Sequence, residues 1–207
     1  NFFGCTINTL VQGACSEALR RYLRALDAVP PEPLISVMPV AVGEGSDLET
    51  LLNSDIHNNH LAVATVPLYQ NIEDMRERLH AIGRASRAAA DHVLLSNGRR
   101  FDNYLDFMPG TFIRLLNASM QHRQARRKNL IANVSISNVP GPRETLHALG
   151  GRLEMTELLS CGNLADSGNV NITVWSYVDN LCFSFLFRKG ALPAPQKMIG
   201  HLGEVVD

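Results

Sequence analysis

A strand-like run at residues 130–139 ends in Ser137-Asn138 and is stopped at once by Pro140-Gly141-Pro142. Two prolines fix φ on either side of a glycine, so the chain turns sharply and rigidly just where hydroxyl and amide groups are on offer. Ser135, Ser137 and Asn138 could donate hydrogen bonds to an oxygen on which negative charge develops. On spacing alone the plainer reading, a stiff turn at a strand end, is preferred. A second stretch, Leu164-Ala165-Asp166-Ser167-Gly168, leads into Val170-Asn171-Ile172-Thr173-Val174-Trp175-Ser176-Tyr177, again alternating apolar with polar.

Other chemistries find little support. No serine stands in a Gly-x-Ser-x-Gly elbow, and Ser167 precedes Gly168 but lacks the upstream glycine. The cysteines Cys5, Cys15, Cys161 and Cys182 are scattered, without the paired spacing of zinc or redox sites. They fit small buried apolar residues in a reducing compartment. His57 and His60 lie in a loop entering a strand, where such a pair is more often solvated than metal-ligating, and no metal is expected. The basic run Arg123, Arg126, Arg127, Lys128 reads first as a solvated helix end, and second as an attractor of phosphates or an anionic membrane surface.

The elements that must position these groups follow from periodicity. Residues 6–26 carry Ile7, Leu10, Val11, Ala14, Ala18, Leu19, Tyr22, Leu23 and Leu26 on one helical stripe, capped by Thr6 or Asn8. Residues 34–42 read as a strand that Pro39 places at an edge or kinks. A polar loop at 43–59 precedes a second strand at 60–68. Asn71 opens a helix to about residue 92 with Ile72, Met75, Leu79 and Ile82 on its apolar side. Residues 104–122 have near-helical spacing interrupted by Pro109-Gly110. Four strand-like runs follow, at 130–139, 152–160, 170–178 and 181–188, with Asp179-Asn180 as the expected hairpin turn. A short helix at 195–206 closes the pattern, which is α/β or α+β with a mixed β-sheet flanked by helices.

Composition sets the bounds. A chain of 207 residues suggests one domain, and 45% apolar against 19% charged residues is ordinary for a soluble globular protein. A net charge of -1 gives no reason to expect nucleic acid. No apolar run is long enough to span a bilayer and no secretory leader is recognised, so the cytoplasm is the expected location, with peripheral attachment to a membrane or lipid droplet open.

Five motifs, in order along the chain, resemble the C-terminal half of the bacterial wax ester synthase/diacylglycerol acyltransferase family. They are Asn8-Thr9 with Ala18-Leu19-Arg20-Arg21-Tyr22-Leu23, the strand Val37-Met38-Pro39-Val40-Ala41-Val42, Asn58-Asn59 before the second strand, Asn138 to Pro142, and the Leu164-Ala165-Asp166 to Tyr177 stretch. Thr9 stands where the family has Asp, an Arg expected near Gly43 is missing, and His57 replaces a Gly.

The resemblance implies one half of a chloramphenicol-acetyltransferase-like, CoA-dependent acyltransferase of two α/β halves meeting across a tunnel. Residues 1–207 would be the C-terminal domain. The N-terminal half would bring the general-base histidine, and this chain alone would be inactive. Acyl-CoA enters as substrate, no cofactor is implied, and the acceptor is a fatty alcohol or diacylglycerol. Asn8, Ser137 and Asn138 become candidates for tunnel-lining or oxyanion donors. Pro140, Gly141 and Pro142 form the structural turn, Asp166 and Gly168 shape a loop near the interface, and Asn171 and Thr173 hold strands in register. Arg126, Arg127 and Lys128 are candidates for CoA phosphates. A large apolar surface should face the N-terminal half. The alternatives are a non-catalytic lipid- or protein-binding domain of the same fold and an acyltransferase with a carrier-protein donor.

Overall fold

The computed structural model describes residues 5–41, 61–95, 132–164 and 169–206. Their elements, in chain order, are α1 (Ile7–Arg24), β1 (Ile35–Ala41), β2 (Leu61–Pro67), α2 (Met75–Leu95), β3 (Val134–Val139), β4 (His147–Ala148), β5 (Leu153–Glu154), β6 (Val170–Tyr177), β7 (Asn180–Phe187) and α3 (Gln196–Val206). The helix expected at 104–122, the histidine pair His57/His60 and the Asn58-Asn59 element lie outside the described residues.

α1 forms where its sequence carries both a cap and a stripe. The Thr6 hydroxyl accepts the Thr9 N–H at 3.2 Å, satisfying one of the orphan donors of the first turn. Its apolar face, Val11, Cys15, Leu19 and Tyr22, buries against the sheet. Past its end, Asp27 takes a φ of 52°, and the Ala28 N–H reaches back to the Leu23 carbonyl at 2.9 Å. That left-handed step closes the helix before the proline cluster.

Five strands form one mixed sheet in the order β2-β1-β3-β6-β7. β1, β3 and β6 run parallel, while β2 and β7 are antiparallel edges. Among the described residues, the helices gather on one face. α1 packs over β3 and β6, α2 covers Met38, Ala64 and Val66 through Ile82, and α3 sits against α1 and against Phe183 and Phe185 of β7. Ile136, Ile172 and Val174 at the centre are fully buried, each contributing about 1.5–3 kcal/mol of apolar transfer free energy.

Four expectations need correcting. Pro39 is not on an edge strand, since β1 lies between β2 and β3. Leu34 faces β2 and Ile35 faces β3, so alternation turns the Pro39 nitrogen toward β3. Pairing there stops at Val37, and no ladder donor is lost. Second, residues 152–160 do not form a full strand: only Leu153–Glu154 pairs, with His147–Ala148. Third, Tyr177 pairs with Asn180, so the hairpin turns at Val178-Asp179, one residue earlier than expected, with the positive φ (53°) on Val178. Fourth, α2 begins at Met75 rather than Asn71, because Asp74 caps it by accepting the Glu77 N–H at 2.7 Å.

Candidate functional site

The direction of α1 fixes where its first turn lands. Asn8 Nδ2 donates to Met38 Sδ at 2.9 Å, Ser36 Oγ donates to Gln12 Oε1 at 2.9 Å, and Ser16 Oγ donates to the Leu68 carbonyl at 2.7 Å. Leu68 is itself hydrogen-bonded to Leu34. Moving up α1 therefore means moving back along β1, and the N-terminal end of α1 lies over the carboxyl ends of the parallel strands. In open α/β sheets that edge is where ligands are held.

An ionic chain locks α1 between its neighbours. Arg78 of α2, 1% exposed, pairs with Glu17 of α1, which also accepts from Arg21 Nε at 2.8 Å. The hydrogen bond to Glu17 raises the Arg21 pKa. Arg21 reaches Glu204 of α3 at 3.3 Å, and the Glu204 carboxyl is held below its usual value by His201 first and Arg21 second.

Asn138 sits at the carboxyl edge of β3. Period-two alternation puts it on the same face as Val134 and Ile136, and its register partner is Val174, so its side chain belongs to the helix-covered face that also holds Asn8 and Met38. Met38 and Asn138 lie two and four residues beyond the paired Ser36 and Val134 of adjacent strands. The Asn138 side chain is half-buried and makes no hydrogen bond among the described residues. Ser137 is in register with Thr173, on the opposite face. The structure thus brings Asn8 and Asn138 to one face and separates Ser137 from them.

The turn after Asn138 is docked rather than free. The Gly141 N–H donates to Ser176 Oγ at 2.9 Å, and the Val178 N–H donates to the Pro142 carbonyl at 2.9 Å. A Cβ on Gly141 would run into the Ser176 carbonyl oxygen. Gly141 has no positive φ, so its service is close approach to β6, where the sequence suggested conformational freedom.

Asn171 and Thr173 are buried on the face opposite the helices, in register with Ser135 and Ser137 of β3 and with Leu186 and Ser184 of β7. Thr173 Oγ1 accepts the Gly162 N–H at 2.9 Å and donates to Asn171 Oδ1 at 2.8 Å, while Asn171 Nδ2 donates to the Asn163 carbonyl at 3.0 Å. They pin the returning segment to β6. Tyr177, unremarked in the sequence, does the same upstream: its hydroxyl accepts the Leu146 N–H at 2.9 Å and donates to the Met155 carbonyl at 2.7 Å. Between these anchors an arm carries Leu149, Leu153 and Leu159 at 73%, 56% and 60% exposure.

Thr9 is buried, and its hydroxyl shares a 3.0 Å hydrogen bond with Thr6 at the helix cap. All four cysteines are free thiols. Only Cys15 is fully buried, and desolvation pushes its pKa up to about 12, whereas Cys161 is exposed, contrary to expectation. Asp166, Gly168, Arg126, Arg127 and Lys128 lie outside the described residues.

A mixed sheet with helices on one face, and a docked turn at the carboxyl edge of its parallel strands, define an α/β domain. The chain belongs to the WS/DGAT C-terminal domain family, whose model matches residues 57–207. It is 30% identical to an O-acyltransferase WSD of Acinetobacter baylyi over 97% of this chain and 41% of that protein. With a putative diacylglycerol O-acyltransferase of Mycobacterium tuberculosis it shares 32% identity over 86% of this chain and 36% of the relative. The chain thus spans about two fifths of the length of these curated relatives. The wax ester synthase/diacylglycerol acyltransferase of Marinobacter aquaeolei VT8 superposes with a TM-score of 0.62 at 23% identity, over 99% of this chain and 43% of that one. The cyclization-docking bidomain of Sorangium cellulosum EpoB shares the fold at a TM-score of 0.55 and 13% identity, over 98% of this chain and 35% of that one.

Proposed function

We propose that this chain is the C-terminal half of a long-chain acyl-CoA:alcohol or acyl-CoA:diacylglycerol O-acyltransferase, forming one wall of its substrate tunnel. The observation that carries the reading is the half-buried amide of Asn138, without a hydrogen bond among the described residues, at the carboxyl edge of β3 on the face that also holds Asn8. An acceptor hydroxyl gives its proton to a histidine of the N-terminal half, and its oxygen adds to the thioester carbonyl. The resulting oxyanion takes a hydrogen bond from Asn138 Nδ2. Collapse breaks the C–S bond, and the histidine returns the proton to the departing CoA thiolate.

Acyl-CoA is a substrate on this reading, and no cofactor takes part. The length of the relatives supports a further N-terminal half as the partner, and the exposed leucines of the arm suit it as a docking surface. No described helix is long and apolar enough to cross a membrane. Contact with a membrane or lipid droplet, where it occurs, is taken as peripheral and cytoplasmic on this reading.

The test is to incubate the chain with acyl-CoA and a fatty alcohol or diacylglycerol, alone and joined to the histidine-bearing half. Ester should appear only in the joined form. Robust turnover by this chain alone would overturn the assignment.

A further inference from the structure

Resting on that reading of Asn138, we infer that Ser176 is a positioning residue for it: the β6 hydroxyl clamps the Pro140-Gly141-Pro142 turn and so holds the end of β3 in place. Asn138 is the penultimate residue of β3, and only Val139 follows it in the ladder, paired with Trp175. A strand end with one more paired residue would fray unless something beyond it were fixed. Here the fixing comes from the next residue of β6. Ser176 Oγ accepts the Gly141 N–H at 2.9 Å, and the absence of a Cβ on Gly141 lets the turn close onto the Ser176 carbonyl.

A second contact, independent of the first, lands on the same turn. The Val178 N–H donates to the Pro142 carbonyl at 2.9 Å, and Val178 holds a φ of 53°. Positive φ on a β-branched residue is costly and persists only where the surroundings over-determine it. That φ is the one a two-residue loop between β6 and β7 requires at its first position, so the residue that donates to Pro142 is itself held by the hairpin. With φ of Pro140 and Pro142 fixed by their rings, a turn held at Gly141 and Pro142 leaves little freedom at the end of β3. The Asn138 side chain has no hydrogen bond among the described residues to orient it, so its placement comes from the backbone that carries it.

The experiment is a double-mutant cycle in the full-length enzyme, with Ser176→Ala, Asn138→Ala and the two combined, read as kcat and KM for acyl-CoA and acceptor. Ser176→Ala should lower kcat about five- to tenfold, the factor that one net hydrogen bond represents, and leave KM unchanged. Ser176→Thr, which keeps the hydroxyl, should restore the rate. The double variant should be no slower than Asn138→Ala, because Ser176 acts through Asn138. Losses that multiply in the double variant, or a change in KM alone, would overturn the inference and leave the role of Asn138 standing. A normal rate for Asn138→Ala would instead remove the reading on which it rests. If Ser176→Ala does not fold, the near-isosteric pair Ser176→Thr and Ser176→Val gives the same comparison. The Thr variant should be fast and the Val variant slow; equal rates would overturn the positioning role.

Discussion

Gly141 lies so close to Ser176 that a Cβ on the glycine would overlap the serine's carbonyl oxygen. That oxygen belongs to the backbone of β6 and cannot rotate away, so Gly141→Ala must push the turn off the strand. Overpacking of this kind costs about 1–3 kcal/mol, and chemical denaturation should show a loss in that range. Gly200→Ala is the control, since a Cβ there meets nothing within 4 Å and the position is helical. Its stability should rise by about 0.5–1 kcal/mol. Equal effects at the two sites would mean that Gly141 is not tightly docked.

The phenol of Tyr177 bridges Leu146 and Met155, the two ends of the β4–β5 hairpin, which also meet directly where the Met155 N–H donates to the Leu146 carbonyl at 2.9 Å. Tyr177→Phe keeps the buried ring but removes both hydrogen bonds, leaving the Leu146 N–H and Met155 carbonyl without that partner. The cost should be about 1–3 kcal/mol. Amide exchange at Leu146 should speed up, and limited proteolysis should cut the arm between residues 146 and 159 sooner. Unchanged protection would show that the arm is held by something other than this hydroxyl.

Much of this frame was legible in the sequence, and the exceptions have physical causes. α1 announces itself because cap, stripe and terminal arginines agree, and β6 and β7 because alternation runs for eight residues each. Residues 152–160 also alternate, yet a strand needs a partner, and only His147–Ala148 supplies one. Pro39 misled because the rule concerns the side toward which its nitrogen points, which only the register with β3 reveals. The Pro140-Gly141-Pro142 turn was legible as rigid. Its landing on Ser176, 35 residues away, was not, because a hydroxyl on an alternating strand gives no sign of its partner. The separation of Ser137 from Asn138 follows from period two, but which of them faces α1 depends on the pairing of Asn138 with Val174.

Cys15 ties stability to alkaline pH. Burial pushes its folded-state pKa from 9.0 up to about 12, so the folded chain keeps a proton that the unfolded chain releases. The contribution is complete below pH 9 and is lost as pH rises from 9 towards 12, at up to about 1.4 kcal/mol per pH unit. Tyr22 is shifted upward by burial as well and adds to the same trend. Cys15→Ala should therefore show a shallower decline over this window in denaturation followed at several pH values. An identical slope would mean that the Cys15 thiol is not buried in the folded protein. A thiol reagent at pH 8 should label Cys161 at once and Cys15 only on unfolding.

Asn138 and Ser137 are neighbours in sequence but face opposite sides of the sheet, and this separates their expected effects on catalysis. If Asn138 Nδ2 stabilises the oxyanion, its loss removes an interaction made in the transition state. Asn138→Ala in the full-length enzyme should lower kcat by about 10²–10³-fold, the range seen when a single oxyanion donor is removed, with little change in KM. Asn138→Asp keeps the shape but replaces the donor by an acceptor of like charge, so it should be at least as slow. Ser137→Ala, in register with Thr173 on the far face, should lose much less. Steady-state rates with acyl-CoA and a fatty alcohol decide the matter: a larger loss at Ser137 than at Asn138 would place the reacting carbonyl on the other side of β3.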